Sequence, residues 1–126
     1  MARIMIVDDS LMARRMLKPI LEEAGHEVVM EATGGKEAIR GYKLHSPDLV
    51  TMDITMPGTD GMSATKEILR EFPEARIVMV TALRDQNKIL EAAGLGALNY
   101  ILKPYSKDKV FAVLKEALAE TPVKTR

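Results

Sequence analysis

The chain has 126 residues, and its 18 basic and 18 acidic side chains leave it with no formal net charge, so no bulk attraction draws it to nucleic acid or an anionic membrane. It has no cysteine, which excludes disulfides, thiolate zinc sites and cysteine nucleophiles. Met1-Ala2-Arg3 does not open a signal peptide and no apolar run reaches membrane-spanning length, so one cytoplasmic domain without membrane insertion is expected.

The first apolar run, Arg3 to Val7, reads as a strand. Ser10 is placed to cap a helix reaching about Ala24, with Gly25 closing it. Its expected buried stripe is Ala13, Met16, Leu17, Ile20, Leu21 and Ala24, at helical spacing, with a kink at Pro19. Glu27 to Met30 is a short second strand. Thr33-Gly34-Gly35 is a loop before a helix from about Lys36 to His45, broken by Ser46-Pro47-Asp48. Leu49 to Met52 is the third strand, followed by a turn-rich loop from Met56 to Gly61. A helix from about Ser63 to Phe72 stops at Pro73. Arg76 to Val80 is the fourth strand, Asp85 to Ala93 a short helix, and Asn99 to Leu102 the fifth strand, ended by Lys103-Pro104. The last helix, about Ser106 to Ala119, carries Val110, Val113, Leu114, Ala117 and Leu118 on one face. Thr121 to Arg126 form a short tail, so one domain over 1–120 is expected.

Strands alternating with helices imply an α/β fold, a parallel sheet covered on both faces through right-handed crossovers. Ligands in such sheets bind beyond the carboxyl ends of the strands. Asp8 and Asp9, Asp53, Thr81 and Lys103 all fall at such ends. Three carboxylates converging there repel one another unless a cation or a proton joins them, and hard oxygen ligands suit Mg²⁺. A carboxylate can also attack phosphorus to give an acyl phosphate. Asp53 stands alone and is the better nucleophile, while Asp8-Asp9 can hold the metal. Lys103 offers a point charge to a phosphoryl oxygen, and the Thr81 hydroxyl can donate to another.

Four segments carry a family resemblance: Ile6-Val7-Asp8-Asp9-Ser10, Met52-Asp53-Ile54-Thr55-Met56-Pro57-Gly58-Thr59-Asp60-Gly61, Val80-Thr81-Ala82, and Tyr100-Ile101-Leu102-Lys103-Pro104. Each is weak alone, but in this order they resemble the receiver domains of two-component response regulators over nearly the whole chain, in the single-domain chemotaxis branch. The resemblance implies a five-stranded CheY-like (flavodoxin-like) sheet in the order 2-1-3-4-5. It implies Asp53 as phosphoacceptor, charged from a phosphohistidine on a CheA-like sensor histidine kinase. Asp8 and Asp9 become the acidic Mg²⁺ pair, and the Thr55 carbonyl a further ligand beside Asp53. Thr81 and Lys103 become the phosphoryl-binding switch pair, Tyr100 the aromatic that turns with the switch, and Lys103-Pro104 a cis bond. Phosphorylation adds charge and acceptor oxygens, drawing Thr81 inward and opening space for Tyr100. The face of the fourth helix, fifth strand and fifth helix then binds a target, the flagellar motor switch in chemotaxis, and a phosphatase resets it.

Plainer readings apply to other residues. His26 and His45 read as surface histidines, and the nine methionines as core filler, with Met12 and Met56 placed to line a kinase-docking face. Gly94-Leu95-Gly96 fails as a dinucleotide loop because Asn99 takes the third glycine position. A flavodoxin-like electron carrier is disfavoured because Asp8-Asp9 would repel a flavin phosphate where an anion must bind. An aspartyl-phosphatase would want an acid at position 55, which is Thr. A pseudo-receiver would lack one of the five strand-end residues. A stand-alone phosphorelay carrier and the receiver of a transcription factor remain alternatives within the family. Small Ala82 leaves room above Asp53, and apolar Leu83 replaces a polar guide for water, so slow self-dephosphorylation is expected.

Overall fold

The computed structural model describes residues 1–82 and 86–119. Leu83, the expected helix start at Asp85 and the tail from Thr121 lie outside the described residues. The order is β1 (Arg3–Val7), α1 (Leu11–Glu23), β2 (Glu27–Ala32), α2 (Gly35–His45), β3 (Leu49–Met52), α3 (Gly61–Glu71), β4 (Ile77–Thr81), α4 (Gln86–Leu95), β5 (Asn99–Leu102) and α5 (Lys107–Ala119). The strands form one parallel sheet in the order β2-β1-β3-β4-β5, as the resemblance implied.

The central strands are buried along their length, and alternation sends successive side chains to opposite faces. Ile4 and Ile6 point to one face and Met5 and Val7 to the other. On the first face the sheet packs against Leu17 and Leu21 of α1 and Val110, Val113, Leu114 and Ala117 of α5. On the second it meets Ala38 and Tyr42 of α2, Met62, Ala64 and Ile68 of α3 and Ala92 of α4. Fully burying each larger aliphatic contributes roughly 1.5–3 kcal/mol. All methionines in the interior, Met5, Met30, Met52, Met56, Met62 and Met79, lie on the second side, whereas Met1, Met12 and Met16 are exposed.

Several expectations are corrected. Leu17 and Leu21 of the expected α1 stripe are buried and Ile20 packs partly buried against the same core, but Met16 is 59% exposed and Arg14 is buried. The helix runs unbroken through Pro19, whose ring lies on the exposed side. Ser10 does cap it, accepting the Ala13 N–H at 3.1 Å, and Gly25 beyond its end has φ +91°, a left-handed conformation that favours glycine. β2 runs two residues further than expected because Glu31 and Ala32 pair with Ile6 and Val7. α3 begins at Gly61, since Asp60 rather than a later residue caps it by accepting the Ser63 N–H at 2.8 Å. β4 shifts forward by one residue, so Thr81 closes the strand opposite Leu102.

Candidate acidic site at the strand ends

The parallel pairing continues one step beyond β1. The Asp8 N–H donates to the Ala32 carbonyl and the Asp53 N–H to the Val7 carbonyl, both at 3.0 Å. The backbone ladder thereby sets Asp8 and Asp53 side by side. One carboxylate oxygen each from Asp8, Asp9 and Asp53 lie within 4.8 Å of one another. Asp8 and Asp53 are buried and Asp9 is exposed, so the cluster has a dry floor and an open mouth.

Lys103 reaches the same place from β5. Its Nζ lies 2.6 Å from Asp8 Oδ2 and 4.0 Å from Asp53 Oδ2. Its backbone N–H donates to the Thr81 carbonyl at 2.8 Å, which ties the ends of β4 and β5 together, and the Lys103–Pro104 bond is cis. The other Asp8 oxygen accepts the Ser10 N–H at 2.9 Å. Burial pushes the Asp53 carboxyl up to about 6; Lys103 opposes the rise, and Asp8 and Asp9 add to it.

Asp8, Asp9, Asp53 and Lys103 therefore converge. Thr81 is buried at the adjoining strand end, and Thr55 lies in the exposed part of the loop after Asp53. Tyr100 is outside the pocket. It is 41% exposed and pairs across the sheet with Met79. With Ile89 and Leu90 of α4 it lines two cavities of about 260 and 390 Å³. Met12 is exposed as a docking residue needs to be, but Met56 is buried among the core methionines, so it cannot line a docking face.

Two polar residues escaped the sequence reading. His26 is half-buried rather than a plain surface histidine, and its Nδ1 accepts the Ala2 N–H at 3.1 Å. Arg14 is buried, donating to the Asp8 carbonyl at 2.6 Å and to Glu31 at 2.9 Å. Its signal was present in the spacing Arg14, Leu17, Leu21, but arginine is usually assigned to solvent.

The donor set fits a hard cation. It is all oxygen and carries up to three negative charges beside one lysine. Comparison with known proteins agrees. The model of the response regulator receiver domain matches residues 4–115. The chain belongs to that family. It is 47% identical over 116 residues to the chemotaxis protein CheY of Bacillus subtilis (strain 168), covering 92% of this chain and 97% of that one. A chain in the crystal structure of the CheX–CheY–BeF3–Mg²⁺ complex from Borrelia burgdorferi superposes with a TM-score of 0.90 at 32% identity, over 94% of this chain and 90% of that one. A two-component response regulator of the LuxR family from Aurantimonas sp. SI85-9A1 does so at 0.91 and 34%, over 96% and 87%. Receiver domains are signalling modules that typically bind Mg²⁺ at an acidic pocket and are phosphorylated there. Among the described residues, no helix is long and apolar enough to cross a membrane.

Proposed function

We propose that this chain is a phosphoacceptor regulator in which Asp53 takes a phosphoryl group from a CheA-like sensor histidine kinase. The observation that carries this reading is the convergence of three carboxylates and Lys103 at the strand ends. With a pKa near 6, Asp53 is a carboxylate at neutral pH and can act as nucleophile. A carboxylate oxygen attacks phosphorus, the O–P bond forms and the P–N bond to the donor histidine breaks. The imidazole leaves with the electron pair and takes a proton from water. Asp8, Asp9, Asp53 and the Thr55 carbonyl would hold Mg²⁺, which when bound neutralises charge on the transferring group. Lys103 meets a phosphoryl oxygen as a point charge, exchanging part of its contact with Asp8 for it.

The phosphoryl group gives the Thr81 hydroxyl a new acceptor. Its inward movement is coupled to Tyr100, which turns into the space beside α4 that its two flanking cavities provide. The face of α4, β5 and α5 then engages a target. The 47% identity to a chemotaxis protein supports the flagellar motor switch as that target and chemotaxis as the setting, with a phosphatase resetting the signal in the cytoplasm. The LuxR-family likeness supports a second reading, the receiver of a transcription regulator, with a stand-alone phosphorelay carrier as the remaining case.

Incubation with acetyl phosphate and Mg²⁺ tests the chemistry. Intact mass spectrometry should show one added phosphoryl group on the wild type and none on Asp53→Asn; equal labelling of both overturns the assignment. Beryllofluoride-dependent capture of a motor-switch peptide separates chemotaxis from the other two settings.

A further inference from the structure

The arginine beside the acidic cluster links α1 to two other parts of the fold. Arg14 is contributed by α1, its Nε donates to Glu31 Oε1 on β2, and its Nη1 donates to the Asp8 carbonyl in the β1–α1 loop. Its side chain is only 10% exposed, and Lys18 Nζ lies 3.8 Å from the other Glu31 oxygen. A buried guanidinium with two directed, charge-assisted contacts is a rigid fork. The carbonyl it holds belongs to the same peptide unit as the Asp9 N–H. Fixing that plane fixes the direction in which Asp9 leaves the backbone. The Asp8 N–H is already committed to Ala32, and its two carboxylate oxygens to Ser10 and Lys103. Arg14 supplies the remaining restraint on this turn. Neither of its two hydrogen bonds involves Asp53 or Lys103.

We propose that Arg14, oriented by Glu31, is a positioning residue that sets the Asp8–Asp9 peptide for cation binding. The inference rests on the reading of Asp8, Asp9 and Asp53 as the cation site. Without the fork, the peptide turns among several orientations. Ordering the acidic pair then falls to the cation, and its affinity drops. The chemistry at Asp53 is untouched once the cation is bound.

The test compares the full chain with Arg14→Met, Arg14→Lys, Glu31→Gln and Asp9→Asn. Mg²⁺ alone is titrated while the backbone amide spectrum reports both folding and the Asp9 and Asp53 amides. Arg14→Met should keep a dispersed spectrum and bind Mg²⁺ about tenfold or more weakly, as loss of an outer partner does at other metal sites. Arg14→Lys, which can still reach the carbonyl, should recover part of that loss. Glu31→Gln should weaken binding less than Arg14→Met, and a variant combining Arg14→Met with Glu31→Gln should be no weaker than Arg14→Met alone, because the two residues act as one unit. At saturating Mg²⁺ the acetyl-phosphate labelling rate of Arg14→Met should return to within about threefold of wild type, since only cation capture is impaired. Unchanged Mg²⁺ affinity in a folded Arg14→Met overturns the proposal, as does a labelling defect that saturating Mg²⁺ leaves in place. If Arg14→Met does not fold, Glu31→Gln and Arg14→Lys decide alone, and wild-type affinity in both overturns it. A wild type that fails to bind Mg²⁺, or an Asp9→Asn that binds it equally well, would instead sink the cation-site reading itself.

Discussion

Asp53 sits where its own charge is unwelcome. Its native pKa of about 6 lies above the ordinary 3.8, so between those values the folded state binds more protons than the unfolded one. The associated stability is fully present below 3.8 and is lost as pH rises through 6. In chelator at about pH 8, Asp53→Asn should therefore be more stable than wild type by about 1–2 kcal/mol, allowing for solvent at the pocket mouth, and the gap should close below about pH 4. Urea titrations across that range check it. His26 runs the other way. Burial, and then the N-terminal charge, lower its pKa from 6.5. The stability it brings is present above 6.5 and lost as pH falls towards the lower native value. Wild type should lose more stability than His26→Gln between about pH 7 and pH 5. The sequence revealed the acids and Lys103 because each ends an apolar run, where alternation and topology force a polar residue to the ligand edge. Arg14 and His26 were missed because their residue types alone imply solvent, and only the fold supplies Glu31 and the Ala2 N–H as partners.

At the scale of elements, the start of α3 governs how closely a helix can approach the acceptor. The Gly61 N–H donates to the Ile54 carbonyl at 2.9 Å, and a Cβ on Gly61 would stand 1.8 Å from the Asp53 backbone oxygen. Gly61→Ala must push α3 or Asp53 aside. It should destabilise the protein by about 1–3 kcal/mol and, by misplacing the nucleophile, slow acetyl-phosphate labelling about tenfold or more. Gly94→Ala in α4 is the matched control, since nothing lies within 4 Å of its Cβ position; it should be neutral or stabilising by roughly 0.5–1 kcal/mol and leave labelling unchanged. Helix and strand identities were legible from periodicity, and Ser10 from its capping chemistry. The ends shifted where polar residues belong to an element for tertiary reasons. Glu31 extends β2 because Arg14 covers it, and Asp60 takes the cap from the later start at Ser63 because Gly61 must reach Ile54.

For the whole molecule, parallel pairing of β1, β3, β4 and β5 is what brings residues 8, 53, 81 and 103 to one edge. A cation bound only by the folded state should stabilise all of it together, by about 2.7 kcal/mol at a hundredfold excess over its dissociation constant. Thermal melts with and without Mg²⁺ should show the rise in wild type and its loss in Asp9→Asn. The alternation of strands and helices made a covered parallel sheet readable from physics alone. The strand order came through family likeness, because apolar runs of similar length do not say which neighbour each will choose.

The uneven sulfur content of the two sides has a consequence for how a signal crosses the domain. Unbranched thioethers shift between rotamers with little penalty, whereas the β-branched and leucine layer under α1 and α5 interlocks. One side of the sheet is thus a pliable gasket and the other a hard anvil. Thr81 shares β4 with Met79, which opens onto the gasket and pairs across the sheet with Tyr100 of β5. On beryllofluoride addition, the ε-methyl resonances of Met62 and Met79 should move or broaden, while the δ-methyls of Leu21 and Leu114 stay in place.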